Sequence, residues 1–167
     1  MLDDPFKYGL LLALAIALVI AAITDFRSRQ IANRLTGAVA LGAPLFWWAS
    51  GMALWPDVAI QLGLAAATFA VLCVLFALRA MGGGDVKLLA ALALWIQPQL
   101  FLQLILIMAL LGGVLTILFG AWHIMRRQRE RLAIPYGIAI SAAALLVLGM
   151  HYVPATAASP AAAAVLR

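Results

Sequence analysis

The segment MGGGDVKLLA, residues 81–90, interrupts a chain that is otherwise strongly apolar. Three consecutive glycines are poor helix formers, because glycine loses more backbone freedom than any other residue when a helix forms. Asp85 and Lys87 follow at once, directly before a run of Leu and Ala. The segment therefore predicts a break between two apolar helices and a new helix that begins with charged residues, near Gly84.

Composition indicates an integral membrane protein. Of 167 residues, 67% are hydrophobic and 10% are charged, and the mean hydropathy is +1.12. A soluble core of this size cannot bury so much apolar surface. The formal net charge is +5, but the basic residues form short clusters between apolar runs, as is typical of loops that flank membrane helices. We therefore expect a lipid bilayer, and no nucleic acid, as a partner.

Charge-free runs delimit the predicted helices, since a transmembrane helix needs about 20 apolar residues. The longest run can hold two helices, with a turn at Gln97-Pro98-Gln99, and the last helix is predicted from about Ile134 to Val153. The sequence thus predicts an all-α, polytopic membrane protein with six transmembrane helices. Residues 1–153 form one domain, and the Ala/Pro-rich tail, 154–167, is predicted to be poorly ordered. The runs are 8–24, 35–56, 58–78, 88–125 and 132–166.

The connections between these helices predict the orientation. The first, third and fifth connections carry nearly all of the arginines and lysines, whereas the second and fourth carry none. Basic loops remain in the cytoplasm. Both termini are therefore predicted outside the cytoplasm.

The fourth predicted helix, 84–96, is shorter than the about 17 to 25 residues that a span needs. It could begin earlier, which would draw Asp85 and Lys87 into the edge of the membrane. It could also continue through Gln97-Pro98-Gln99. Either way of lengthening the helix places polar groups inside the membrane. Ionisable residues inside a membrane are candidates for function.

Two aspartates are predicted on the cytoplasmic side, Asp25 at the end of the first helix and Asp85 at the start of the fourth. Each has a structural explanation, since Asp85 could cap its helix and Asp25 could pair with Arg27 or Arg29. An acid at a helix C-terminus nevertheless opposes the helix dipole, so Asp25 is placed against local preference. The two side chains can meet if the first and fourth helices pack together.

Two neighbouring carboxyl groups have a characteristic chemistry. Like charges at close range do not both ionise, so the pair holds one proton and titrates as a unit. The ionised member can take a proton from water while the protonated member donates to the carbonyl oxygen of an amide. This is the chemistry of aspartic peptidases.

Two segments, TDFRSRQIANRLT (24–36) and GGGDVKLLAALALW (82–95), resemble the signature regions of type IV prepilin peptidases, which are membrane aspartic peptidases of the GxGD class. The first region in that family contains Ile-Pro-Asn, and here Ala32 replaces the proline. A third and weaker similarity is IPYGIAI, residues 134–140, near the start of the last helix.

The resemblance implies that Asp25 and Asp85 are catalytic. It implies cleavage of the N-terminal leader of prepilin-like proteins, at the cytoplasmic face of the bacterial inner membrane, without a cofactor or a metal. The chain resembles the short, peptidase-only members found with Flp-type tight-adherence pili, so we expect no N-methyltransferase activity. The supporting residues are predicted to be Gly82, Gly83, Gly84, Lys87, Asn33 and Arg27.

The roles predicted for these supporting residues remain open to alternatives. The glycines can let the backbone approach the substrate or adopt dihedral angles barred to other residues. Lys87 can bind a substrate carboxylate, adjust the pKa of the aspartate pair, or extend to the lipid headgroups. Asn33 can hydrogen-bond within the first signature region, although capping of the second helix is the expected role.

Two other functions would account for part of the sequence. A presenilin-like GxGD peptidase would need a Pro-Ala-Leu motif near the last helices, which this sequence lacks. A small multispanning transporter or membrane scaffold with a charged relay would account for Asp85 and Lys87, but it would leave the first signature region unexplained.

Overall fold

The computed structural model describes residues 5–125 and 136–152. Within those residues the chain forms six α-helices and no β-strand, so the all-α prediction is confirmed there. The basic cluster 126–131, the first two residues predicted for the last helix (Ile134 and Pro135) and the tail 154–167 lie outside them. The helices are α1 (Pro5–Ser28), α2 (Asn33–Ala49), α3 (Ala59–Ala77), α4 (Gly83–Ala93), α5 (Pro98–Met125) and α6 (Tyr136–Tyr152).

Among the described residues, three helical segments are long and apolar enough to cross a membrane, namely Pro5–Ser28, Leu54–Ala77 and Pro98–Trp122. A break between the fourth and fifth helices is confirmed, but it lies at residues 94–97, earlier than the predicted Gln97-Pro98-Gln99, because α4 ends at Ala93 and α5 begins at Pro98. The apolar run 35–56 predicts a second helix that continues to residue 56. This extent is wrong, since α2 ends at Ala49. Gly51 follows with a positive φ of 65° and stops the helix there.

Helix α4 lies at the centre of the bundle and packs against α2, α3 and α6. The main contacts of α1 are with α2 and α6, and α5 packs against α6. The first and fourth helices are therefore not a main packing pair, so the stated condition for a meeting of Asp25 and Asp85 is not fulfilled along the helices; only their ends converge. The buried residues of α4 are Val86, Leu88, Leu89, Ala91, Leu92 and Ala93.

The early end of α4 is stabilised by side chains of its neighbours. Trp47 Nε1 donates a hydrogen bond to the backbone oxygen of Leu94 at 2.7 Å. Gln61, which is only 2% exposed, donates through Nε2 to the backbone oxygen of Ile96, also at 2.7 Å. Non-helical backbone is tolerated at membrane depth where protein groups satisfy it. Neither predicted way of lengthening the fourth helix is therefore used.

Candidate active site

Asp25 is positioned by the last turns of α1. It is only 6% exposed, and its backbone oxygen accepts a hydrogen bond from the N–H of Arg29 at 2.8 Å. Arg29 has a φ of 53°, which ends the helix and turns the chain back. The loop after α1 can therefore return toward the protein, and its Ile31 is buried.

Asp85 lies in the first turn of α4, three residues after Gly82. Gly82 occupies the N-cap position, so Asp85 does not cap the helix in that position. Its carboxyl instead lies beside the backbone N–H of Gly82, as an acid at the third helical position of a capping box does.

The three glycines before Asp85 lie in close contacts and do not adopt unusual dihedral angles. Gly82 has φ −73° and ψ 144°, values that any residue adopts, and Gly83 and Gly84 are helical. A Cβ on Gly82 would lie 3.0 Å from Asp85 Oδ2, and one on Gly84 would lie 3.2 Å from the Cβ of Ile31. The alternative of barred dihedral angles is therefore wrong. Gly84 lets the start of α4 approach the loop after α1, and a Cβ on Gly83 would lie 3.2 Å from the Phe76 ring of α3.

The two carboxyl groups share two cavities. The first cavity, of about 570 Å³, is enclosed by the end of α1, the loop 28–33 and residues 82–85. The second cavity, of about 650 Å³, adds the end of α3, residues 79–82 and Tyr136. Asp25 and Asp85 line both cavities and are close enough to interact electrostatically. Ionisation of both groups at once is therefore unfavourable.

The first turn of α6 lies against Asp25. A Cβ on Gly137 would be 2.7 Å from Asp25 Oδ2 and 2.8 Å from its Cγ. The backbone N–H groups of Gly137 and Ile138 lie beside the carboxyl, but the buried Oδ2 has no hydrogen-bond partner among the described residues. The sequence offered only a similarity over 134–140 for this region, and the contact of Gly137 with Asp25 was not predicted.

Lys87 and Asn33 join the two signature regions directly. Lys87 Nζ donates a hydrogen bond to Asn33 Oδ1 at 2.9 Å. The expected capping role of Asn33 is wrong, because Ala32 is the N-cap residue of α2 and Asn33 is already helical. Lys87 lines neither of the two cavities that contain the aspartates.

The arginines of the first signature region take different positions. Arg27 is exposed on the last turn of α1, and it lines neither cavity. Arg29 lines both cavities together with Asp25, whereas the sequence indicated it only as a possible ion-pair partner of Asp25. Its place follows from the left-handed backbone at this residue, which a sequence pattern does not reveal for an arginine.

Comparison with known proteins identifies the family. No curated protein and no solved structure gives a significant match to the chain. The model of the type IV leader peptidase family matches residues 12–117, from α1 into α5. This range contains both aspartates, the three glycines before Asp85, and the Lys87–Asn33 pair, and it covers more than half of the chain. The resemblance seen in the two signature regions is thus confirmed: the chain belongs to the type IV leader peptidase family and is a peptidase.

Proposed function

We propose that this protein is a membrane-embedded aspartic endopeptidase that removes the N-terminal leader of prepilin-like proteins at the cytoplasmic face of the bacterial inner membrane. The observation that carries this proposal is the placement of Asp25 and Asp85 on the walls of the same two cavities. The cavities lie where the end of α1 meets the start of α4, so both signature regions contribute to them.

The proposed reaction uses the pair as acid and base. The ionised carboxylate takes a proton from a water molecule, whose oxygen attacks the carbonyl carbon of the scissile amide. The protonated carboxyl donates its proton to the carbonyl oxygen, which gives a tetrahedral diol. The C–N bond then breaks as the nitrogen accepts a proton from the first carboxyl, and the second carboxyl recovers a proton from the diol. Water is consumed, and the pair again holds one proton.

The charge distribution supports a cytoplasmic site and a six-span topology with both termini outside. Arg27, Arg29, Arg34 and Arg79 lie at the ends of α1, α2 and α3 that border the cavities. Basic residues at the ends of membrane helices favour the cytoplasmic side. The second cavity also has apolar walls at Phe76 and Met81, which suit a substrate whose cleavage site precedes a hydrophobic helix.

The test is leader removal in reconstituted vesicles. The purified protein and a prepilin-like substrate are mixed in a bilayer, and mass spectrometry identifies the product termini. We expect one cut between the basic leader and the apolar helix, with no methyl group added when S-adenosylmethionine is present. A chelator should leave the rate unchanged, because the acid–base pair needs no metal. Absence of the cut would refute the leader-peptidase function, and inhibition by the chelator that added zinc reverses would refute the mechanism.

The Lys87–Asn33 hydrogen bond should support activity indirectly, by holding the two signature regions together. We expect Lys87→Met and Asn33→Leu each to lower the cleavage rate by about two- to tenfold, the size expected for one hydrogen bond of about 0.5–1.5 kcal/mol. The double variant should be no slower than the slower single variant, because both substitutions remove the same bond. The initial cleavage rates of the wild type, the two single variants and the double variant test this expectation.

The matched control is Arg34→Met, which removes an exposed positive charge from the same end of α2. Its rate should stay within twofold of the wild type. If the two single effects simply multiply in the double variant, Lys87 and Asn33 act separately, and Lys87 would instead have a partner in the substrate or the lipid.

A further inference from the structure

We propose that Gly137 is a positioning residue of the active site: because it has no side chain, the first turn of α6 can hold the Asp25 carboxyl in the cavities that it shares with Asp85. This inference rests on the proposed peptidase function. It concerns a helix that lies beyond the residues matched by the family model, and it gives the last helix a direct part in the site.

The first observation is steric. A Cβ on Gly137 would lie 2.7 Å from Asp25 Oδ2, 2.8 Å from Cγ and 2.9 Å from Cβ. All three distances are too short for non-bonded carbon and oxygen atoms. The atoms belong to a short and buried side chain, so neither a small rotation nor a flexible tip can relieve the contact. Any larger residue at this position must move Asp25 or α6.

The second observation is the polar environment of Asp25. The side chain is 94% buried, being only 6% exposed, and its Oδ2 has no hydrogen-bond partner among residues 5–125 and 136–152. The first N–H groups of a helix have no partner within that helix. Those of Gly137 and Ile138 lie beside this carboxyl. Asp25 is therefore directed at the backbone of the first described turn of α6.

The third observation is that α5 packs closely against the start of α6, through Tyr136. A Cβ on Gly112 of α5 would lie 3.2 Å from the Tyr136 ring, which shows how closely the two helices approach there. The hydroxyl groups of Tyr136 and Thr116 lie 3.3 Å apart, within hydrogen-bond distance. With α5 behind it, α6 has little room to retreat from Asp25, so the strain of a side chain at Gly137 would fall on the carboxyl.

The chain offers a matched control in the same helix. Gly149 lies near the end of α6, and a Cβ there would have no neighbouring atom within 4 Å. Gly137→Ala and Gly149→Ala are the same substitution in the same helix and bring the same gain in helix propensity. They differ in that only Gly137 faces Asp25.

We expect Gly137→Ala to lower kcat by about 100-fold, since a displacement of about 1 Å in a reacting group can cost that much. The KM for a prepilin-like substrate should stay within twofold, because the Asp25 carboxyl acts on water and the scissile amide and does not hold the leader. Gly149→Ala should match the wild type in both constants. The proposal would be overturned if Gly137→Ala left kcat unchanged, or if the substitution changed only KM.

A second measurement does not depend on activity. The melting temperature in detergent is compared for Gly137→Ala in the wild type and in an Asp25→Gly background. The substitution should lower the melting temperature in the first case and not in the second, where the colliding side chain is gone. Equal shifts of the melting temperature in both backgrounds would show that the substitution does not act through Asp25, and this would overturn the proposal. If the wild type failed to cleave prepilin-like substrates, the proposed function would fall, while this comparison would still decide whether Gly137 supports Asp25.

Discussion

Cleavage of a prepilin-like substrate should fall by about 10²- to 10⁴-fold when either Asp25 or Asp85 is replaced by asparagine, the range expected when a general acid or base is lost. Asparagine keeps the shape of the side chain but exchanges no proton at neutral pH. In the proposed mechanism the two carboxyls share one proton and act as a unit, so the double variant should be little worse than either single variant. The initial rate of leader release in vesicles is measured for the two single variants and the double variant and compared with the wild-type rate.

Asp57→Asn is the matched control for both variants. Asp57 precedes α3, at the end opposite to the cavities and about 28 Å away along a helix of 19 residues. Its Oδ2 accepts a hydrogen bond from the N–H of Ala53 at 3.2 Å, so the residue has a local structural role. This variant should keep the wild-type rate, and all variants should insert into the membrane normally. Full activity of Asp25→Asn or Asp85→Asn would exclude the two-carboxylate mechanism.

Much of the fold could be predicted because apolar runs and their interruptions are local signals. The break at residues 78–82 lies next to the glycines, as the sequence indicated, whereas the turn between α4 and α5 begins three residues before Gln97. The end of α2 was missed, because the run of apolar residues continues past Gly51 and only the backbone there turns left-handed. The stabilisation of the end of α4 was also missed, because Gln61 and its partner Ile96 are 35 residues apart.

The candidate site shows the same division between local and distant signals. Asp25 could be predicted because it opposes the dipole of its helix, and Asp85 because it is a charged residue that opens a short helix in an apolar chain. The structure brings both to the same cavities. The role of Asn33 was misjudged by a single residue, since the helix begins at Asn33 and not after it. Gly137 was missed because its requirement comes from Asp25, which belongs to another helix, and a single sequence carries no pattern for such a contact.

Gly84→Val should have the second large effect, by separating the two signature regions. A Cβ on Gly84 would lie 3.2 Å from the Cβ of Ile31 and 3.4 Å from its backbone nitrogen. Valine adds two further carbons, and overpacking of this kind typically costs about 1–3 kcal/mol. Ile31 is buried in the loop that joins Asp25 to α2, so the loop must move away from α4. We expect kcat to fall by about 100-fold, because a displacement of about 1 Å between reacting groups is enough for such a loss.

Gly63→Val separates this effect from the helix-propensity cost of valine. Gly63 lies in α3, and a Cβ there would meet no atom within 4 Å, so this variant should cleave at nearly the wild-type rate. Adding Ile31→Ala to Gly84→Val should recover part of the lost activity, since the shorter side chain leaves space for the valine methyl groups. Recovery would locate the defect in the contact between the loop and α4. If Gly84→Val cleaved like the wild type, the close approach of these two segments would not be what holds Asp25 and Asp85 together.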